Sequence, residues 1–280
     1  MNNVLYVNKP KGISSFDVCY RLRKILGTKR IGHTGTLDPN ATGVMVVLFN
    51  DATKGAQFLV SDTKVYKTKV LLGVETDTLD IDGNVVNKKE YVVPERDLIN
   101  EVFNSFLGKS KQQVPLTSAK KINGKKLYQY QLEGKEVELP IIDIEVFDIK
   151  LDEILDNGFT FTCKVSSGTY IRSLVRDILK KMDLIGTVEE LCRIAVDNIT
   201  IDECNTLEDI ENGRFEAHDL LDLLSNRYKT YEIEKVEDIK NGKRIKIDCD
   251  DEYVVLTDNG KLLAVYKKDG EEYRSARGLW

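Results

Sequence analysis

The segment Gly32-His33-Thr34-Gly35-Thr36-Leu37-Asp38-Pro39-Asn40-Ala41-Thr42-Gly43 constrains the fold of this chain more than any other. Gly32, Gly35 and Gly43 permit backbone angles that other residues avoid, and Pro39 fixes the backbone directly after Asp38. A single carboxylate is therefore expected in an over-determined turn just ahead of the apolar run Val44 to Phe49. A carboxylate presented in this way can serve as a nucleophile, a helix cap or a ligand. An ordinary turn aspartate uses the same residues, so the segment alone leaves these readings open.

With 280 residues the chain can build a sizeable core, and one large domain with a small appendage is the expectation. It has no run of eighteen apolar residues that could span a bilayer. Its opening, MNNVLYVNKPKG, lacks the basic head and apolar middle of a signal peptide, so a cytoplasmic protein without membrane association is expected. The cysteines (Cys19, Cys163, Cys192, Cys204, Cys249) are odd in number and scattered, and only His33 and His218 could join them as soft ligands. Neither a disulfide framework nor a metal site is expected, and each cysteine reads as a small buried apolar residue. The net charge of −5 argues, as an average, against a nucleic-acid partner. The charges are segregated, however. Residues 109–135 carry seven lysines against Glu133 alone, and residues 1–35 carry Lys9, Lys11, Arg21, Arg23, Lys24, Lys29 and Arg30 against Asp17. Acids gather in 197–222, so a basic cleft could attract a polyanion while the rest of the surface stays acidic.

The periodicity predicts a strand at Val4 to Val7, then a helix capped by Ser14 or Ser15 whose apolar face is Phe16, Val18, Leu22, Ile25 and Leu26. Strand 44–49, a helix near 52–61 and strand 65–72 follow. Thr76 to Gly83 is rich in oxygen ligands but lacks calcium-loop spacing, and reads as a hydrogen-bonded turn. A helix is expected from Pro94 through Leu107. The lysine-rich 109–139, with Tyr128 and Tyr130, reads as a long insertion. Strands are expected at 141–149 and 159–165, joined by an acidic turn, then a helix from Ile171 to about Met182. A short helix capped by Asn205 or Thr206 and another over 216–224 complete a first domain, 1–226. Short strands at 229–233, 244–247, 252–257 and 262–267 predict a small all-β domain, 227–280.

No phosphate-binding G-x-x-x-x-G-K-[ST] loop and no helix-opening G-x-G-x-x-G is present, so neither ATP nor a dinucleotide is implied. Gly32-His33-Thr34-Gly35 matches the G-x-x-G of a KH loop, but its flanks do not fit that fold. Seven ordered motifs carry more. They are Asn8-Lys9-Pro10-Lys11-Gly12 with Ser14-Ser15, Arg30-Ile31 followed by the Asp38 loop, and Lys64-Val65-Tyr66-Lys67. Thr76-Asp77-Thr78 with Asp80, Asp82 and Gly83 comes next, then Ser118-Ala119-Lys120 with Asn123 to Tyr128. Gly168-Thr169-Tyr170-Ile171-Arg172-Ser173-Leu174 and Glu190-Leu191-Cys192-Arg193 complete the set. In this order, over about residues 4–196, they resemble the TruB family of tRNA pseudouridine synthases. Cys192 departs from the family, which commonly carries a basic residue there.

The resemblance implies an α+β pseudouridine synthase fold, a bent and largely antiparallel mixed sheet flanked by helices and loops, with a thumb-like insertion at about 109–139 and a PUA-like C-terminal β domain. It implies an isomerase that converts uridine 55 in the tRNA T loop to pseudouridine, acting as a monomer and without a cofactor. In the family's pattern Asp38 is the nucleophile, Arg172 its cationic partner, Tyr66 the residue stacked on the target base, and Tyr170 its neighbour. Leu191 forms an apolar wall, His33 takes the stacking place of the extracted base, and Asp80 belongs to the Arg172 network. Lys9, Arg30, Lys64 and Lys67 would contact phosphates. The competing reading is a non-catalytic tRNA-binding or RNA-folding protein, in which Asp38 is a turn residue. A glycosidase using paired acids among Asp77, Asp80 and Asp82 would need a second acid in the site.

Overall fold

Strand β1 (Asn2–Lys9) runs into a reversal at Gly12, whose φ of +86° is a conformation open to glycine. Helix α1 (Ser15–Ile25) begins immediately after, capped by Ser14, which shares a reciprocal capping box with Asp17. The structure, a computed structural model, describes residues 2–280. Its chain divides into two compact units, one comprising the residues up to Pro39, Val44–Val60 and Asp202–Trp280, the other Asn40–Gly43 and Ser61–Ile201. In this division 202–226 and the C-terminal strands cluster with the N-terminal segment.

In the first unit β2 (Ile31–His33) pairs antiparallel with the later part of β3 (Thr42–Phe49), His33 lying opposite Val47. A 3-10 helix spans Asn50–Phe58, where the sequence predicts an α-helix. Val18, Cys19 and Leu22 of α1 pack with Leu5, Val7, Met45, Val47, Leu207 and Ile210 in one apolar cluster. Phe16, expected on that buried face, is 63% exposed instead. Helical spacing explains this: Ser15, Val18, Cys19 and Leu22 lie at i, i+3, i+4 and i+7 and take the buried stripe, leaving Phe16 off it.

The second unit opens with β4 (Thr63–Leu72), then a small hairpin of β5 (Val74–Thr76) and β6 (Val85–Lys88), and helix α2 (Arg96–Asn104). Strand β7 (Gly108–Gln113) pairs with β10 (Ile141–Leu155). The expected insertion is thus shorter than 109–139, since its first residues form sheet and irregular chain starts at Val114. Between them lie β8 (Lys121–Ile122), β9 (Lys125–Lys126) and α3 (Leu127–Leu132). Strand β11 (Gly158–Ser166), helix α4 (Ile171–Lys181), β12 (Gly186–Val196) and β13 (Ile199–Thr200) complete the unit. The sheet order is β12-β4-β11-β10-β7. Residues 150–155, expected as an acidic turn, continue β10. Phe103 of α2 packs its ring 5.3 Å from Phe161 and 6.1 Å from Phe159, so that helix covers the sheet face to which both phenylalanines point.

Returning to the first unit, the chain forms α5 (Leu207–Glu211), capped by Thr206, then β14 (His218–Asp219) and α6 (Leu220–Ser225). The C-terminal sheet has the order β15-β16-β17-β18, with β15 (Thr230–Glu232), helix α7 (Val236–Lys240), β16 (Tyr253–Asp258), β17 (Lys261–Asp269) and β18 (Glu272–Gly278). Its core is Ile239, Val254, Leu256, Leu263, Ala264, Tyr266 and Tyr273. The expected strand at 244–247 reduces to one bridge, Ile245 with Tyr273.

All five cysteines are free thiols. Cys19 and Cys163 are buried, and burial pushes their thiols up to about 11 and about 12. Cys192, Cys204 and Cys249 are only half-buried, against the expectation for all five. No helix among the described residues is long and apolar enough to cross a membrane.

Candidate active site

In the first unit the loop carrying Asp38 is clamped at both neighbours. Ser15 Oγ donates to the Leu37 carbonyl at 2.9 Å and accepts from the Leu37 N–H at 2.8 Å, so one hydroxyl satisfies both backbone polar groups of the buried Leu37. The Pro39 carbonyl accepts from the Gly12 N–H at 2.9 Å and from Lys9 Nζ at 3.1 Å. Asp38 itself is half-buried. Of the two serines that could cap α1, Ser14 does so, and this frees Ser15 for the loop.

Lys9 corrects an expectation. Its side chain is wholly buried, and Nζ also donates to the Pro10 carbonyl at 2.9 Å and the Ile13 carbonyl at 2.7 Å. An ammonium has three protons, and three backbone carbonyls take them. Lys9 thus positions the Asp38 loop and does not line a cleft as a phosphate contact. Arg30 lies on the surface with Nη1 3.0 Å from Asp51, and His33 ends β2 half-buried.

In the second unit Arg172, in the first turn of α4, is only 4% exposed. Its Nη1 donates to the Thr78 carbonyl and its Nη2 to the Thr117 carbonyl, both at 2.8 Å. The Asp80 carboxylate stands 3.9 Å from Nη1 and is itself fixed, accepting from Thr78 Oγ1 at 3.0 Å and the Asp82 N–H at 3.1 Å. One planar guanidinium thereby joins α4, the Thr76–Gly83 turn and the chain after β7. Tyr170, just before α4, has both its backbone polar groups held by the buried Gln112 side chain: Nε2 donates to the Tyr170 carbonyl at 3.1 Å, and Oε1 accepts from the Tyr170 N–H at 2.9 Å.

Tyr66 is buried on β4, opposite Arg193 of β12 on one side and Cys163 of β11 on the other. Leu191 lies opposite Thr68, two residues along. Side chains alternate across a strand, so Lys64, Tyr66 and Thr68 share one face with their partners Leu191 and Arg193. Lys67 falls on the other face and is exposed, so alternation separates it from Lys64 and Tyr66. Lys64 Nζ donates to Ser167 Oγ at 3.0 Å. Burial pushes its ammonium down to about 8, nearby Arg193 adds to the effect, and Asp197 opposes it.

Sequence reasoning missed two site-building side chains. Arg193 is 2% exposed, and its signal was available in the alternation Leu191-x-Arg193, which puts a cation on the inward side. Gln112 sits in a lysine-rich stretch without periodicity and gave no such signal. Gly43 has φ +103°, and a Cβ built there would overlap the Arg193 carbonyl, so β3 can pair with β12 at this point only through glycine.

Comparison with known proteins shows the family and the fold. Residues 23–171 match the family model described as TruB family pseudouridylate synthase (N terminal domain). The chain is 36% identical to tRNA pseudouridine synthase B of Lactobacillus acidophilus, over 98% of this chain and 97% of that protein. Its identity to the enzyme of the same name from Caldanaerobacter subterraneus subsp. tengcongensis is also 36%, over 99% of both. Among solved structures, a Cbf5-Nop10-Gar1 complex superposes with a TM-score of 0.73 at 21% identity, covering 100% of this chain and 85% of that one. This likeness gives the fold: the α+β architecture is that of the pseudouridine synthases, with the C-terminal strands forming a separate, PUA-like sheet.

Proposed function

The chain belongs to the TruB family of pseudouridylate synthases, and on that footing we propose how it acts: it is a tRNA pseudouridine synthase, an isomerase, with uridine 55 of the T loop as its target. The reaction breaks the N1–C1′ bond, turns the detached uracil and forms C5–C1′, while C5 loses a proton and N1 gains one. Electrons balance without an oxidant, so the chemistry calls for a carboxylate and charge control, not a redox cofactor. The double clamp around Asp38 is the observation that carries the residue assignment.

In this proposal Asp38 is the nucleophile, preorganised so that little loop ordering remains to be done during reaction. Addition to C6, attack at C1′ and a glycal route all need it ionised. Arg172 supplies the permanent positive charge, and Asp80 with the Thr78 and Thr117 carbonyls fixes its plane. Tyr66 stacks on the extracted uracil and relays the C5 proton, Leu191 forms the apolar wall, and Tyr170 borders the base. Extraction costs a few kcal/mol, and His33 stacks in the vacated place. Lys64 and Arg30 meet phosphates, and residues 114–140 close over the loop of the RNA. The enzyme acts as a cytoplasmic monomer on the T arm, with 1–226 the catalytic part and 227–280 an RNA-gripping module.

Mapping pseudouridine in an unmodified tRNA transcript after incubation with the protein tests this reading. A single new pseudouridine at position 55 is expected. Modification at another position, or none, contradicts it.

A further inference from the structure

Two exposed aromatic rings lie one turn apart on the outer side of α1. Phe16 is 63% exposed and Tyr20 51%, at i and i+4, and exposed Lys24 continues the line at i+8. Each ring has a cation against it: Arg23 lies 5.9 Å from the Phe16 centroid and Lys24 Nζ lies 4.8 Å from that of Tyr20. Scattered exposed aromatics are ordinary, but two in helical line, each paired with a cation, form a patch. The charges that residues 1–35 contribute here are mainly positive, with Arg30 paired to Asp51. Lys11, Arg21, Lys24, Lys29 and Arg30 are all exposed, and Asp17, the one acid between residues 1 and 35, has its carboxylate engaged by Ser14 in the α1 cap.

We propose that this outer face of α1 is a second RNA-contact surface for the same tRNA substrate, with Phe16 and Tyr20 stacking on unpaired bases and Arg21, Arg23 and Lys24 meeting the adjoining phosphates. It rests on the reading of tRNA as substrate. The occupant follows from charge and continuity. Aromatic faces flanked by cations fit bases on a polyanionic backbone, a pairing that tolerates any base sequence. The helix also starts at Ser15, the residue that clasps Leu37 beside Asp38, so RNA engaged at that loop already lies next to the first turn of the face. From there α1 extends about 16 Å at about 1.5 Å per residue, long enough to follow several nucleotides. An acidic protein would match the charge but would have no use for paired rings in stacking register.

The test measures tRNA affinity and saturated turnover for Phe16→Ala with Tyr20→Ala, for Tyr20→Phe, and for Lys24→Glu. Because these side chains are exposed, thermal unfolding should match the wild type. The double alanine variant is expected to weaken tRNA binding about tenfold or more, with saturated turnover unchanged. Tyr20→Phe retains a ring and should bind like the wild type. Lys24→Glu should lower the salt slope of binding by about one phosphate contact. Wild-type affinity in the double variant, or a loss of turnover without a loss of affinity, overturns the proposal. A wild-type protein that fails to modify tRNA would instead overturn the substrate reading, so the two failures are separable.

Discussion

At the scale of single residues, function rests on how few degrees of freedom are left around Asp38. Asp38→Asn keeps shape and size while removing the charge, so it should abolish turnover and leave tRNA affinity within about threefold, as read by filter binding. Arg172 makes contacts that lysine cannot copy, because two Nη groups reach separate carbonyls while Nη1 faces Asp80. Arg172→Lys should therefore lower kcat by more than about tenfold, which corresponds to about 1.4 kcal/mol of barrier. Lys64 sets a pH dependence. Its value of about 8 in the folded chain lies below the ordinary lysine value of 10.5, so between these the unfolded chain holds a proton that the folded chain has lost. Stability contributed by this residue consequently rises with pH across that window, whereas its ammonium, and any phosphate contact, is lost as pH rises through about 8. tRNA affinity should fall between about pH 7 and 9, and Lys64→Arg, which stays charged, should flatten the fall.

At the scale of elements, the catalytic loop depends on the start of α1. Ser15→Ala leaves the buried Leu37 N–H and C=O without their side-chain partner, which should cost about 1–3 kcal/mol in stability by denaturant unfolding. It should also reduce kcat more than it raises KM, because the loop loses its preorganisation. Gly43→Ala forces a side chain against the Arg193 backbone at a φ of +103° and should cost on the order of 3 kcal/mol. The glycines and Pro39 made the rigid turn legible in the sequence, and alternation made β4 legible. The clasp itself was not, since a serine that caps a helix and one that reaches a distant peptide look alike in sequence. Strand β12 is hidden in the sequence because register shifts at Val188/Glu190 and Arg193/Ala195 break its alternation, and because Glu189, Glu190 and Arg193 interrupt its apolar run. Lys9 departs from expectation for a related reason. A lysine in a basic, turn-rich segment reads as a surface charge, and only long-range contact to Pro39 reveals a buried brace.

At the scale of the whole molecule, a net charge of −5 coexists with locally basic segments that fit an RNA partner. Binding by those segments releases counterions, so tRNA affinity should fall at least about tenfold between about 50 and 200 mM salt, despite the acidic average. The family motifs spread over both compact units, with the Asp38 loop built in one and the Arg172 and Tyr66 constellation in the other. The central proposal is that the Asp38 carboxylate drives base detachment and rejoining. Release of tritium from tRNA labelled at uracil C5 measures that step, since the C5 hydrogen leaves only when the new carbon–carbon bond forms. The wild type should release tritium in step with pseudouridine formation, and Asp38→Asn, still binding tRNA, should release none. Tritium release by Asp38→Asn at a rate near that of the wild type would contradict the account.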